Sequence, residues 1–583
     1  MKKLKTLLFS INEQSFQKIH KLRGSYLFPQ FEFKFLRIQG SPGANPASIA
    51  MVNVSIADCG IPEKYLASSS TRLAVADFLI RRFKQGISKY AQQNRGRDGS
   101  GSFHTIELGQ KMLERDCVLF SDKEIELRFI FSLPAKGSGG GQFDAEQTWA
   151  MFECELCPIV EYALFYTGYD DSSKQLLNEY IKIQTHRQEI KHYMAENGLC
   201  VFINNGACLA RKSGIDDRPA LGEKIIKFQS PETCQADIPL SGNDTIQGMA
   251  IKEGICCITG GGYHGKSTLL QAILAGVYAH IPGDGREYIV TRDDAVFIRA
   301  EEGRSIRNVD ISPFISCLPN GLKTKQFSSE NASGSTSQAA SIVEAVESDS
   351  RLLLFDEDTC ATNFLVRDEL IKKVIDPENE PIKPLYSTVR SIWKQHHISM
   401  IFVVGGLGVF LQKADTCLLM ENYQCKDITN KVREQLGDIV EEIEKPLTFS
   451  AHRLLSINNF APSYTNHRLK KEMPKRIKAL RNAPKQLEYG MDLINLEAIP
   501  QIAEAPQILS VGYCLLKLRQ AMEEEGNEPQ TIDYWLQWLF KKLEQHGLSF
   551  LQADYAGTIS LPRKYEVAAA INRIRSLKIN QLN

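Results

Sequence analysis

Nowhere along these 583 residues do roughly eighteen apolar residues run together, so no helix encoded here spans a bilayer, and a transporter would need another chain for its membrane part. Net charge is lacking as well. The 69 Lys and Arg cancel 69 Asp and Glu, so the whole-chain balance points to no class of partner. No secreted-domain spacing orders the fourteen cysteines, and several stand in apolar surroundings such as Cys256-Cys257. A reducing, cytoplasmic setting fits that usage better than a disulfide scaffold. The one CxxC, Cys154 to Cys157, has no second CxxC or HxxxH to complete a zinc tetrahedron and reads as core packing. The start, Met1 to Phe9, imitates a secretion signal, but Ser10, Asn12, Glu13 and Gln14 interrupt the apolar run, so it reads as the first helix of the folded protein. Internal repeats and long low-complexity segments are absent too.

What remains is ordinary globular composition, 43% hydrophobic and 24% charged, in a chain long enough for about two to four domains. Residues 1–195 mix a helical stretch at 71–83 with strand-like alternation at 125–131, and carry glycine-rich breaks at 94–102 and 136–142. They are expected to form an N-terminal α/β domain. In 196–445 short apolar runs alternate with helical patterns, the signature of a mainly parallel sheet covered by helices. In 446–583 the pattern turns helical, with a basic stretch at 470–481 and a segment at 533–543 rich in Trp, Leu and Phe.

The chemistry lies in the middle part. An apolar run from Gly254 to Thr259 leads directly into Gly260-Gly261-Gly262-Tyr263-His264-Gly265-Lys266-Ser267-Thr268, a complete GxxxxGK[ST]. Phosphates need inward backbone N–H groups, a helix N-terminus and an ammonium. The glycines permit the loop, a helix from about Lys266 supplies the dipole, Lys266 supplies the charge, and Ser267 is placed to hold Mg²⁺. About ninety residues on, Arg351-Leu352-Leu353-Leu354-Phe355-Asp356-Glu357 reads as a buried strand ending in two carboxylates. Asp356 suits the Mg²⁺ water shell, and Glu357 is placed to polarise the attacking water. Between them, the small-residue turn containing Ser333, Gly334 and Ser335 precedes a helical run at 341–347 and offers N–H groups to a γ-phosphate. After the phosphate loop there is no NKxD guanine motif and no HRD or DFG set, which sets GTPases and protein kinases aside.

These strings, with His280 to Glu287, Asp310 to Ile315, Ala332 to Ala340 and Asp356 to Phe364, closely resemble the predicted ATPases of the ABC class, a soluble group distinct from transporter subunits. The likeness is densest over 240–420 and extends to Arg37-Ile38-Gln39 and Tyr489-Gly490-Met491-Asp492-Leu493. It implies an α/β fold with an ABC-type P-loop NTPase core, an N-terminal α/β domain and a C-terminal mainly helical domain. It also implies ATP and Mg²⁺ as ligands, and a homodimer associated with RNA, in which the Ser333-Gly334-Ser335 turn of one protomer closes on the phosphates held by the other. Two places depart from the pattern. Gly405-Gly406-Leu407-Gly408-Val409-Phe410 stands where the family tends to read GGSGDYF and where ordinary cassette ATPases place a switch His; His396 and His397 precede that strand and read as surface residues. The segment from Ile298 to Arg304 lacks the Gln of a Q-loop, leaving Glu301 and Glu302 either as contacts to metal or water or as solvated acids.

The stretch from His467 to Arg481 packs seven Lys or Arg against one acid, a density that suits a phosphate backbone or the solvated face of a helix. Two functions follow as expectations: an ATP hydrolase linked to RNA or another nucleic acid, or an ATP-gated protein-interaction switch or chaperone-like dimer without nucleic acid.

Overall fold

The computed structural model describes residues 1–41, 47–92, 95, 100–136, 141–319, 321–368, 373–374, 380–439, 446–449, 452–456, 465–466, 471–472, 477–480, 483–490, 492–525, 528–551 and 557–581. They form two compact units, Met1–Thr185 with Leu548–Leu561, and His186–Gly547 with Pro562–Asn583.

In the first unit Lys2–Ser10 is a helix, as its apolar spacing requires, and Leu4 and Leu8 are buried. An antiparallel sheet runs in the order Ser25–Leu27, Glu32–Arg37, Ser48–Ser55, Glu124–Phe131, Phe103–His104. Strict alternation in Glu124–Phe131 sends Ile125, Leu127, Phe129 and Phe131 to the core, where they meet Phe33, Phe35 and Phe152. The helix Ser69–Tyr90 starts at Ser68, whose hydroxyl accepts the Thr71 N–H in a reciprocal cap. Cys154 is exposed, so the core-packing reading fails for it; Cys157 alone is half-buried, donating its thiol to the Phe152 carbonyl.

The second unit holds the core sheet. Its strands are β1 Ile255–Thr259, β2 Ala295–Ile298, β3 Leu352–Asp356, β4 Ser399–Val403, β5 Thr416–Glu421 and β6 Gln424–Asp427, in the order β2-β3-β4-β1-β5-β6. The first five run parallel and β6 returns antiparallel. Helices cover the sheet, so its inner strands are buried on both faces. Hence Leu352, Leu353 and Leu354 are all fully buried, and the run is continuous rather than alternating. A second, antiparallel sheet of Gln235–Leu240, Asp244–Lys252, Leu199–Asn204 and Ile289–Thr291 belongs to the same unit.

Strand β2 is the sheet's open edge, a row of unpaired backbone groups that a folded protein has to cover. Residues beyond 500 do this with side chains. Gln501 accepts the Phe297 N–H at 3.3 Å and donates to the Ala295 carbonyl at 2.8 Å, and Arg563 donates to the Asp293 and Ala295 carbonyls at 2.9 and 3.0 Å. Around this contact lie the helices Ala505–Glu524, Ile532–His546 and Lys564–Ile571 and a three-stranded sheet of Ile477–Leu480, Ala483–Tyr489 and Asp492–Asn495. The helical pattern expected at 470–481 is therefore replaced by strand at its described end. Lys478 belongs to the strand Ile477–Leu480, which pairs antiparallel with Ala483–Tyr489. Lys470, Lys475, Arg476 and Arg481 lie outside the described residues. Among the described residues no helix is long and apolar enough to cross a membrane.

Candidate functional site

Register fixes where the site forms. Val403 of β4 lies opposite both Asp356 of β3 and Ile258 of β1, so three adjacent parallel strands end level with one another. The carboxyl ends of parallel strands are where such sheets bind ligands. Immediately beyond them come Glu357, the Gly405-Gly406 turn and the loop opened by Gly260.

That loop turns from β1 into helix α1, Lys266–Ala275. Gly260 has φ +144°, and a Cβ there would collide with the Met420 carbonyl oxygen on β5, so only glycine fits. Gly265 enters the helix at φ +98°. Tyr263 carries φ +64° and is 99% exposed. Gly261 and Gly262 are exposed, and Thr268 is half-buried behind the exposed Ser267. On its far side the loop is held by the β5–β6 turn. Asn422 donates its N–H to His264 Nδ1 at 2.8 Å, and Tyr423 donates to the His264 carbonyl at 3.2 Å. A backbone N–H can only donate, so His264 Nδ1 presents its lone pair and the ring's proton sits on Nε2. Lys266 Nζ bends over the loop, donating to the Gly260 and Gly261 carbonyls at 2.7 and 2.8 Å.

Opposite stand the carboxylates. Asp356 accepts the Asp358 N–H at 3.3 Å, and burial, with Asp358 and Glu357 beside it, raises its pKa against the opposing pull of Lys266. Glu357 Oε2 accepts three backbone N–H groups in succession, from Gly405 at 2.7 Å, Gly406 at 3.0 Å and Leu407 at 3.2 Å. Such a nest of successive N–H groups is a concavity for an anion. Position 405 is close to the lysine too, since a Cβ there would lie 3.8 Å from Lys266 Nζ. The loop that lacks a switch histidine thus grips Glu357 with backbone. Nothing in its side chains announces this; only the absence of side chains at Gly405 and Gly406 does. His396 and His397 play no part: His396 bonds the Leu447 carbonyl and His397 is exposed.

The helix α2, Gly334–Glu347, begins at Gly334 rather than near 341, so Ser333 is its N-cap position and Gly334 and Ser335 already belong to its first turn. Ser333 Oγ lies 3.0 Å from Thr336 Oγ1. Gly334 donates its N–H to Glu302 Oε1 at 2.8 Å. Glu301 is engaged as well. Its N–H donates to Ser337 Oγ at 2.9 Å and its carboxylate pairs with Arg573. Burial pushes that carboxyl up, but Arg573, Arg304 and Arg299 outweigh it and hold it below the usual range. Glu302, exposed as a solvated acid would be, caps α2, and half-buried Glu301 anchors Arg573. Fully buried Gln338 accepts the Ala361 N–H at 2.9 Å and ties α2 to the segment after Asp356. Sequence reasoning passed over Gln338 and Arg573, whose partners lie 23 and 272 residues away.

A family model described as ABC_ATPase, P-loop domain, matches residues 173–472. This chain belongs to that family. Models for the N-terminal part of ATPases of the ABC class and for the MRB1590 C-terminal domain match residues 1–167 and 478–580 of this ABC-class ATPase. A curated relative, the uncharacterised protein MJ1628 of Methanocaldococcus jannaschii, is 32% identical over 278 residues; the match covers 46% of this chain and 58% of the relative. Among solved structures, a metal-chelate-type ABC transporter in an inward-facing conformation matches at 14% identity and TM-score 0.25, over 39% of this chain and 82% of that one. The cbiO1 subunit of the Clostridium perfringens ABC transporter complex cbiONQ matches at 12% identity and TM-score 0.25, over 41% and 92%.

Proposed function

We propose that this ABC-class ATPase binds Mg²⁺-ATP on the Gly260–Thr268 loop and hydrolyses it at two composite sites of a homodimer, in a cytoplasmic process linked to RNA. The observation that carries the reading is the Glu357 carboxylate held by three N–H groups at the level ends of β1, β3 and β4, with Lys266 alongside. On arrival of the nucleotide, Lys266 exchanges the Gly260 and Gly261 carbonyls for phosphate oxygens, and the loop N–H groups and α1 receive the rest of the charge. Glu357, unable to wander, orients the attacking water and accepts its proton. The residues fit a divalent cation: Asp356, Glu357 and Asp358 gather negative charge with Lys266 as the nearby counter-charge, and the Ser267 hydroxyl is exposed at the start of α1. Mg²⁺ held by Ser267 and Asp356 would supply charge neutralisation at the phosphates, a ligand set that suits an ion which takes few protein oxygens.

Ser333, Gly334 and Ser335 of the partner protomer would seal the site from solvent, which raises the value of each electrostatic contact inside. Support for RNA comes from the seven basic residues within 467–481, the resemblance in sequence, and the match of 478–580 to the MRB1590 C-terminal domain. The test separates binding from chemistry. Lys266→Ala loses productive ATP binding, whereas Glu357→Gln keeps it and accumulates a closed dimer by light scattering; normal turnover in either variant sinks the assignment. Stimulation of ATP hydrolysis by RNA distinguishes the RNA-linked enzyme from an ATP-gated protein switch.

A further inference from the structure

We propose that the cleft lined by Arg299, Glu302, Arg304, Asn495, Arg573 and Arg575 is a second ligand site, separate from the ATP loop, that recognises the phosphate monoester of a small nucleotide through Arg299. The cleft has a volume of about 590 Å³, within the range of ligand pockets, and lies where the carboxyl end of β2 meets the sheet of Ile477–Leu480, Ala483–Tyr489 and Asp492–Asn495. Strands β3 and β4 separate β2 from β1, which puts the two strand ends roughly 14 Å apart at ~4.8 Å per strand.

Charge accounting singles out Arg299. Arg304 is spent on Glu344 and on Ser341 Oγ at 2.7 Å. Arg573 is spent on Glu301, and Arg575 donates to the Gly303 and Glu330 carbonyls at 3.1 and 2.9 Å. Of the carboxylates on the wall, Glu301 pairs with Arg573, Glu302 is turned to the Gly334 N–H, and Glu497 accepts the Gln486 side-chain amide at 3.1 Å. Among the described residues Arg299 makes no hydrogen bond or ion pair and its Nε is buried without an acceptor; the Glu301 carboxylate feels its charge only through space. A guanidinium stays charged, so a half-buried one with no hydrogen-bond acceptor on a cavity wall favours an anion there. The planar fork of guanidinium donors suits a phosphate, which accepts two parallel N–H groups at once. The half-exposed Leu493 and the neighbouring Ala498 give the opposite wall an apolar surface for the rest of the ligand.

The location gives such binding a consequence. Glu301 and Glu302, two and three residues along the chain from Arg299, hold the first turn of α2 through Ser337 and Gly334. A ligand that draws Arg299 changes the field on both acids, and so the helix N-terminus that the ATP reading assigns to the partner's phosphates.

The experiment uses the full-length Lys266→Ala protein, so that binding at the ATP loop does not mask the cleft. It is titrated by calorimetry with 5′-AMP, with inorganic phosphate and with 5′-phosphorylated hexauridylate. AMP should bind. Arg299→Gln should weaken it about tenfold or more, the loss expected for one charge-assisted contact, with Arg299→Lys in between. Asn495→Asp, which puts a negative charge on the facing wall, should weaken it without touching Arg299. Hexauridylate binding that depends on Arg299, with AMP indifferent, keeps phosphate recognition and assigns its source to a strand. Affinities for all three probes that ignore both Arg299 and Asn495, in variants with unchanged thermal unfolding, overturn the proposal. Should Lys266→Ala still bind ATP like the unaltered protein, the ATP reading fails by itself, and the comparison at Arg299 stays readable.

Discussion

Replacing Leu407 with proline would delete one of the three N–H groups that hold Glu357 while leaving the turn intact. Leu407 sits at φ −87° and ψ 61°, with the Gly408 N–H donating back to the Gly406 carbonyl at 3.0 Å. That is an inverse γ-turn, close to the φ of roughly −65 ± 15° that proline imposes. The restriction proline puts on its predecessor falls on a glycine, which tolerates it. A hydrogen bond to a charged group contributes about 1.5–3 kcal/mol. The Leu407 contact is the longest of the three at 3.2 Å, so the lower figure applies, and about 1.4 kcal/mol is tenfold in rate. Leu407→Pro should therefore lower kcat about tenfold relative to Leu407→Ala, which loses only the side chain packed on the core. ATP affinity should not change, because the nest touches no phosphate in this arrangement. Single-turnover hydrolysis alongside equilibrium binding of labelled ATP reads both. Equal rates for the two variants would show that the nest contributes nothing to the chemistry, and a faster proline variant would show that it restrains Glu357 instead of aiming it.

Mixing Gly334→Asp and Lys266→Ala proteins should restore partial hydrolysis, since one composite site of each heterodimer carries both lesions and the other carries neither. No recovery with heterodimers demonstrated argues against head-to-tail sites. Arg453→Ala should destabilise the second unit by about 3–5 kcal/mol in urea unfolding, because Glu347, 3% exposed, loses the guanidinium that answers it; a midpoint shift of a few tenths would refute that. Neutralising Lys470, Lys471, Lys475, Arg476, Lys478 and Arg481 together should weaken RNA binding uniformly across sequences and flatten its salt dependence, leaving basal hydrolysis in place. An unchanged salt slope would assign RNA contact elsewhere or to no part of this chain.

The phosphate loop and the Leu352–Asp356 strand were legible because local sequence dictates them: four glycines for backbone approach, a continuous apolar run for a strand buried on both faces. What escaped is non-local. The start of α2 slipped from 341 to 334 because Ser, Gly and Thr favour caps and turns over helix interiors, whereas here Ser337 returns its hydroxyl to the Gly334 carbonyl and Glu302 caps the first turn from another segment. Lys478 was read with helical neighbours since a basic run has no period of its own; its strand is set by pairing with Glu488. The grip on Glu357 uses backbone N–H groups, which every residue has, so its one trace in the sequence is the glycine pair at 405 and 406. Arg299 was visible as a letter, but its lack of a hydrogen-bond acceptor is a fact about space.

The β5–β6 turn has a thermodynamic consequence. Asn422 and Tyr423 both adopt positive φ, as a tight two-residue hairpin turn demands, and from there they fasten His264 at two points while Gly260 is wedged against Met420. The glycine-rich loop, with the greatest freedom to lose, is thus ordered at the protein's expense during folding and not at the nucleotide's during binding. Capture of ATP should then exchange partners more than it freezes motion, giving a small entropic penalty and little change in amide hydrogen exchange across 260–265. Lengthening the turn between β5 and β6 should transfer that ordering cost to the ligand.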